Sequence, residues 1–228
     1  DVAARVKAEN VDVCFVVDPD VDRLVILNED GTMFNEEYTL VAVADYVLSK
    51  TPGNTVSNLS STRALSDVTA KYGQNYTAAA VGEVNVVEAM KSTNAIIGGE
   101  GNGGVIYPAS HYGRDSLVGI ALFLTLMAEK KMKCSELRKT YPDYFMSKNK
   151  IELTPDIDVD AILFKMKEKY SNENVNDIDG VKIDFANSWV HLRKSNTEPI
   201  IRIYSEAPSS AEADKLAQQI IADIKAIL

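Results

Sequence analysis

The sequence predicts a mixed, mostly parallel α/β sheet with helices on both faces, followed by a smaller α+β domain. Strand-like and helix-like segments alternate from residue 55 to residue 141, which is typical of a parallel sheet covered by helices. Beyond Tyr141 and Pro142 several strand-like segments follow one another, so an antiparallel sheet with helices on one face is expected. The expected regions are 1–34, 35–141 and 142–228.

The sequence pattern of residues 1–34 predicts a helix, a strand, a loop and a second strand. The apolar run Val11–Val17 predicts a buried strand, and Leu24–Leu27 predicts a second one. The chain begins at Asp1 without Met and enters a helix-like segment at once. We interpret this region as the end of a truncated domain, so the N-terminal domains of the same protein are expected partners.

The next region predicts an amphipathic helix around Leu40–Leu48, followed by alternating strands and helices. The expected strands are 55–59, 76–80 and 95–97, and the expected helices are 62–72, 84–91, 117–130 and 135–139. In the last region the expected strands are 150–153, 181–185, 189–192 and 200–204, with a helix at 159–170. A final helix is expected from Ser209, with Glu212 completing a capping box.

Three carboxylates at alternate positions, Asp18, Asp20 and Asp22, directly follow the first strand, and Arg23 follows them. Such close negative charges repel one another unless a cation lies among them. Hard oxygen ligands on short side chains suit Mg²⁺, which leaves coordination positions for phosphate. The loop therefore predicts a magnesium site for a phosphorylated substrate.

Three other interpretations fit part of this acidic loop. Glu29 completes the ligand spacing of a calcium EF-hand, but Arg23 stands where that loop needs Gly. A phosphatase with a nucleophilic Asp fits Asp18 and Asp20 and leaves Asp22 unexplained. A solvated acidic turn fits poorly between two apolar strands.

A glycine-rich loop covers Gly99–Gly104. It matches G-x-G-x-x-G formally, but the dinucleotide pattern must open a helix, whereas a short strand and Pro108 follow here. Glycines allow a ligand to approach the backbone closely, and the Glu100 carboxylate at the tip can accept hydrogen bonds from vicinal hydroxyls. Glu100 and Asn102 are the candidate sugar-binding residues; a plain tight turn is the alternative.

A basic loop lies between two expected strands of the last region. Its cations, hydroxyls, amide and turn N–H groups suit a phosphate dianion, although a solvated hairpin turn has the same appearance. The candidate phosphate-binding residues are Arg193, Ser195, Asn196, Thr197 and, on the following strand, Arg202.

Composition limits the function further. The net charge is −9 and the pI is about 4.8, which argues against nucleic acid as a partner. No apolar run is long enough to predict a membrane span. The chain has 2 cysteines, which we interpret as thiols of a reducing compartment, so a cytoplasmic location is expected.

Together, the acidic, glycine and basic loops, in this order, resemble the α-D-phosphohexomutase family, most closely its phosphomannomutase and phosphoglucosamine mutase branch. The resemblance implies that Asp18, Asp20 and Asp22 bind Mg²⁺ and that Arg23 holds the reacting phosphate. It also implies that Glu100 binds sugar hydroxyls and that the basic loop grips the other phosphate of the sugar. The fold implied for residues 35–141 is that of the family's third domain.

The resemblance has departures that bear on catalysis. Gly104 stands where many relatives have a His; His111 is therefore the candidate general acid or base, while His191 is expected to be structural. Nothing matches the family's phosphoserine motif. The implied whole enzyme interconverts the 1- and 6-phosphates of mannose, glucose or glucosamine through a phosphoserine and a sugar bisphosphate, and this chain alone is expected to be inactive. The alternatives are a metal-dependent sugar phosphatase and a non-catalytic sugar-phosphate-binding module.

Overall fold

The structure is a computed structural model, which describes residues 1–154, 157–195 and 198–227. Contacts within the chain divide it into two compact units, Asp1–Pro142 and Asp143–Leu228. Among the helices described, none combines the length and the apolar character that a membrane crossing needs.

The first unit holds a mixed sheet in the order β4-β3-β5-β6. Strand β3 is parallel to β4 and β5, whereas β6 is antiparallel to β5. The fold class predicted for this region is confirmed. The elements of the unit are α1 (Val2–Glu9), β1 (Val13–Val17), β2 (Leu24–Asn28), α2 (Glu36–Lys50), β3 (Thr55–Asn58), α3 (Ala64–Lys71), β4 (Tyr76–Ala79), α4 (Glu83–Thr93), β5 (Ile97–Glu100), β6 (Gly104–Ile106), α5 (Ser116–Lys130) and α6 (Cys134–Arg138).

Helices cover both faces of this sheet, as the side chains of β3 demonstrate. Val56 packs into an apolar cluster with Val86 and Met90 of α4. Its neighbour Thr55 points to the opposite face, where its hydroxyl lies 2.6 Å from that of Thr69 on α3. The two faces therefore bind different helices.

Strands β1 and β2 form a separate antiparallel hairpin. The prediction that β1 is a buried strand is wrong, because it contains no buried residue and within the described chain it pairs with β2 only. Val16 and Val17 remain 37% and 39% exposed. The acidic loop is thus the connection of a hairpin that pairs Val17 with Leu24.

Helix α2 is buried around most of its circumference, from Glu37 through Asp45. The sequence predicted an amphipathic helix here. It packs on α3, α5 and β5, so that even Asp45 lies inside the unit.

The second unit is an antiparallel sheet in the order β7-β11-β10-β9-β8. One apolar cluster joins α7 and α8 to inward-facing residues of the sheet, which confirms the predicted α+β arrangement with helices on one face. Strand β8 was not predicted, and β7 begins earlier than expected. The elements are β7 (Phe145–Glu152), α7 (Val159–Lys169), β8 (Asn174–Asn176), β9 (Val181–Asp184), β10 (Trp189–Lys194), β11 (Ile200–Ala207) and α8 (Ser210–Ile227).

Candidate active site

The acidic loop is folded back on itself by its first carboxylate. Asp18 Oδ1 accepts hydrogen bonds from the backbone N–H groups of Asp22 and Arg23, each at 3.2 Å. Val21 takes the left-handed conformation (φ 56°) that this turn needs. Burial raises the pKa of Asp18, but these N–H groups and the nearby guanidinium outweigh it and lower the pKa below its usual value. The loop therefore stabilises an ionised Asp18.

Arg23 supplies a cation to the same loop. Its Nε lies 3.7 Å from Asp18 Oδ2 and 3.8 Å from Asp22 Oδ1, while Asp20 is exposed. Three carboxylates are hard donors of the kind that Mg²⁺ prefers, so the donor chemistry fits. Among the residues with described placement, however, no group of three or more His, Cys, Asp or Glu side chains is arranged to hold a metal ion. Binding by all three aspartates would require their carboxylates to come closer together.

Glu100 lies in a different place from the loop tip that the sequence predicted. It is the last residue of β5, opposite Gly104, and only 5% exposed. Its Oε1 accepts hydrogen bonds from Asn58 Nδ2 (2.8 Å) and from the Gly82 N–H (3.2 Å). The strand register places Glu100 inside the unit, so its assignment to sugar binding stays a prediction.

The glycine loop lies directly against the strand that follows the acidic loop. Gly103 has φ +81°, and a Cβ atom there would stand 2.0 Å from the Leu24 carbonyl oxygen. Only glycine permits this approach. Asn102, the other candidate sugar-binding residue, uses its Oδ1 to accept the Gly104 N–H at 3.1 Å and so closes the turn.

Arg114, which the sequence did not single out, connects the two loops through its side chain. Its guanidinium forms ion pairs with Asp22 of the acidic loop, with Glu100 at 2.6 Å and with Glu83 at 3.2 Å. The side chain is only 12% exposed. Three carboxylates that are distant in sequence thus meet at one cation. A charged residue between a glycine and a helix N-cap was the signal available in the sequence.

The two residues after Arg114 connect the start of α5 to the acidic loop. Asp115 caps α5 by accepting the N–H groups of Leu117 and Val118. Ser116 is fully buried and donates its N–H to the Val21 carbonyl and its hydroxyl to the Arg23 carbonyl, both at 3.0 Å. The start of α5 therefore fixes the backbone of the acidic loop.

His111, the candidate acid or base, lies just before these residues. Its Nε2 is 2.9 Å from Asp115 Oδ2, and its side chain is 51% exposed. This hydrogen bond is the main reason why the pKa of Asp115 is lowered. The ring is reachable from solvent and is oriented by a carboxylate, as a proton-transfer group requires.

In the second unit, basic residues form a row across neighbouring strands. Arg193 of β10 pairs with Arg202 of β11, which pairs with Lys150 of β7. Directly opposite residues share a face, and this face is the one opposite the apolar cluster that holds Leu192 and Ile201. We call Lys150, Arg202 and Arg193 the basic row; Lys150 was missed, although the alternation Lys148-Asn149-Lys150-Ile151 indicated it.

The remaining basic-loop residues are only partly described. Ser195 is buried, and its N–H donates to the Ile200 carbonyl at 3.1 Å. Arg193 Nη1 lies 3.7 Å from Asp179 Oδ2. Asn196 and Thr197, which the sequence assigns to phosphate binding, lie outside the described residues.

His191 is buried in β10, and its Nε2 lies 2.6 Å from the Asp179 carbonyl oxygen. Burial lowers its pKa to about 4, so the ring is neutral at physiological pH. This placement agrees with a structural role.

Comparison with known proteins identifies the class. Residues 35–144 match the family profile described as phosphoglucomutase/phosphomannomutase, alpha/beta/alpha domain III. Residues 129–223 match the phosphoglucomutase/phosphomannomutase C-terminal domain. The chain therefore belongs to the phosphoglucomutase/phosphomannomutase family of phosphohexomutases, as the three loops predicted.

Individual relatives agree with this. The chain is 36% identical to a phosphoglucomutase/phosphomannomutase of Thermococcus kodakarensis, over 91% of this chain and 46% of the relative. It is 32% identical to a phosphoglucosamine/phosphogalactosamine mutase of Sulfurisphaera tokodaii, over 96% and 50%. The chain spans about half the length of these curated relatives.

Solved structures share the fold. A phosphoglucomutase/phosphomannomutase family protein from Burkholderia thailandensis superposes with a TM-score of 0.83 at 24% identity, over 99% of this chain and 49% of that one. A putative phosphomannomutase from Thermus thermophilus gives 0.78 at 25% identity, over 98% and 48%.

Proposed function

We propose that this chain is part of a magnesium-dependent phosphohexomutase that interconverts hexose 1-phosphates and hexose 6-phosphates of mannose, glucose or glucosamine. The donor phosphoserine belongs to a part of the protein outside this chain, and a sugar bisphosphate is the intermediate. Membership in the phosphoglucomutase/phosphomannomutase family supports the reaction class.

One observation carries the proposal: Arg114 joins Asp22 of the acidic loop to Glu100 beside the glycine loop. A mutase must hold the transferring phosphate and the sugar hydroxyls in one place, because phosphoryl transfer depends chiefly on positioning and charge stabilisation. The two sequence features expected to perform these tasks are neighbours in the fold. A solvated acidic turn would not explain this meeting.

The residues of the chain would have the following roles in this reaction. Asp18, Asp20 and Asp22 would hold Mg²⁺, which when bound neutralises charge on the transferring phosphoryl group. Arg23 is exposed beside them and would bind that group through charge-assisted hydrogen bonds.

Glu100 would bind the sugar. The described residues give Glu100 Oε2 one hydrogen bond, from Arg114, and a carboxylate oxygen accepts about two. One sugar hydroxyl can therefore donate to Oε2. The basic row would bind a phosphate group, and His111 would exchange a proton with the sugar hydroxyl that gains or loses phosphate.

The test is an activity assay of the whole protein and of this chain. The whole protein is expected to convert glucose 1-phosphate or mannose 1-phosphate to the 6-phosphate, with turnover that depends on Mg²⁺ and on a hexose bisphosphate activator. The 228-residue chain is expected to be inactive under the same conditions, because it lacks the donor serine. Absence of mutase activity in the whole protein would contradict the proposal. Release of inorganic phosphate without formation of the 6-phosphate would favour a phosphatase.

A further inference from the structure

We propose that Arg114 is a positioning residue that holds the acidic loop and the glycine loop in a fixed relation, so that Asp22 and Glu100 act on the same substrate. The inference rests on the function proposed above and names the side chain that makes the two loops one site. Neither the sequence motifs nor the family resemblance had assigned this residue a role.

The first argument is the convergence of charge. Asp22, Glu83 and Glu100 come from three separate segments, and each pairs with the same guanidinium. A guanidinium presents five N–H donors in a rigid plane, and here Nη1 donates to Glu100 and Nη2 to Asp22. Glu83 forms an ion pair with Nε and accepts a hydrogen bond from the Arg114 backbone N–H. A lysine ammonium is a point charge on a flexible stem and could not hold the same three directions.

The second argument is burial. The Arg114 side chain is 12% exposed and the Glu100 side chain 7%. Removing one partner of a buried ion pair leaves the other without compensation and is costly. Without Arg114, Glu100 would keep its hydrogen bonds from Asn58 and Gly82 but lose its counter-ion, and Asp22 would lose its link to the glycine loop.

The third argument is the space that Gly104 leaves. A Cβ atom at Gly104 would stand 2.4 Å from Arg114 Cδ, closer than side-chain atoms can approach. Gly104 has no positive φ, so its backbone would accept an alanine, and the obstruction comes from Arg114. The absence of a side chain at position 104 therefore makes room for this arginine.

The first experiment measures amide hydrogen exchange in the 228-residue chain without any substrate. Arg114→Gln is expected to accelerate exchange about tenfold or more in both residues 18–23 and 99–104, because charge-assisted bonds to both loops are lost. Gly104→Ala keeps every charge and is expected to accelerate the same two segments by displacing the arginine. Circular dichroism verifies that each variant is folded.

The matched control is Arg5→Gln. Arg5 forms an exposed ion pair with Glu9 on α1, so the change in net charge is the same while both loops keep their contacts. If amide exchange in the two loops is as slow in Arg114→Gln and Gly104→Ala as in the wild-type chain and in Arg5→Gln, the inference is overturned.

A second experiment separates positioning from a general effect on stability. In the whole protein, Arg114→Ala is expected to lower kcat/KM for glucose 1-phosphate about 100-fold, and added guanidinium ion is expected to restore part of it. Added ethylammonium is not, since it lacks the planar donors. Loss of activity that guanidinium does not relieve would contradict a positioning role.

The two proposals fail in distinguishable ways. Wild-type whole protein without mutase activity would refute the proposed function, while the exchange experiment would still decide whether Arg114 links the loops. Active wild-type protein with unaltered exchange in the Arg114 variants would refute the inference and leave the function standing.

Discussion

The two units of this chain place their charged groups in opposite ways. In the first, the acids Asp22, Glu83 and Glu100 surround a single arginine, so the cation is already paired inside the protein and the acids are in excess. In the second, the cations of the basic row stand opposite one another on neighbouring strands. Like charges in such positions destabilise a sheet slightly, and an anion placed among them removes the repulsion.

This difference indicates how each region responds to a ligand. The first unit keeps its arrangement without substrate, because burial makes its internal ion pairs interdependent. In the basic row, Lys150 pairs with Glu152 at 3.0 Å and Arg193 with Asp179 at 3.7 Å, and both cations are more exposed than Arg114. Exposed pairs are weak, so the gain on binding phosphate should be larger and should decrease with salt. The predictions below test this contrast from its largest effect to its smallest.

The largest effect is expected at Asp20. In the whole protein, Asp20→Asn should lower turnover about 100-fold or more even at saturating Mg²⁺, since it removes a charged metal ligand. Asp20 is exposed, so the fold should be unaffected. Asp12→Asn, an exposed aspartate outside the loop, is the control, and equal turnover in the two variants would refute the metal assignment.

A smaller effect is expected in the basic row. Arg193→Ala should weaken binding of inorganic phosphate to this chain by about 2 kcal/mol, or about 30-fold, the usual scale for losing a charged hydrogen-bond donor. Isothermal titration calorimetry measures it. Lys194→Ala is the matched control, because Lys194 is the adjacent cation and pairs with Asp160 instead. Similar weakening in both variants would mean that only net charge matters.

The smallest effect concerns pH and the second unit. His191 has its pKa lowered from 6.5 to about 4 by burial, so below pH 6.5 the unfolded chain binds a proton that the folded chain does not. Stability should therefore fall as pH drops from 6.5 towards 4. The first pH unit of this range should cost about 1 kcal/mol.

Fluorescence of Trp189, the single tryptophan of the chain, monitors unfolding of this unit during titration with urea. His191→Gln should abolish the fall in stability between pH 6.5 and 5.5, above the range in which carboxylates with lowered pKa such as Asp177 and Asp223 take up protons. His111→Gln, at the other histidine of the chain, should retain it. A slope that persists in His191→Gln would assign the effect to other groups.

The sequence predicted the order and type of most elements, because apolar periodicity and turn residues are local signals. It placed Ser209 correctly before the last helix, where the Glu212 N–H donates to Ser209 Oγ at 3.2 Å and the Ser209 hydroxyl donates to Glu212 Oε2 at 2.8 Å. These contacts form half of the expected capping box, because the Glu212 carboxylate accepts from the Ser209 hydroxyl and not from its backbone N–H. The errors arose where partners are distant. The burial of β1 depends on which strand it pairs with, and the burial of Glu100 depends on the register of β5 against β6.

Site prediction had the same limit. The acidic and glycine loops are recognisable because each is a contiguous run of unusual residues. Arg114 does not belong to such a run, and its partner Asp22 is 92 positions away. Only the fold brings them together, so a residue of this kind cannot be identified from spacing.

The half-exposed strand β1 has a practical consequence for handling this chain. A strand that is hydrogen-bonded on one side offers the other side to any second strand, and here that edge carries Val16 and Val17 at its exposed end. The ionised Asp18 that follows them opposes aggregation by charge repulsion. Because the pKa of Asp18 is lowered below its usual value, this charge persists in mildly acidic buffers. Only strongly acidic buffers would neutralise it and favour edge-to-edge association of purified chains.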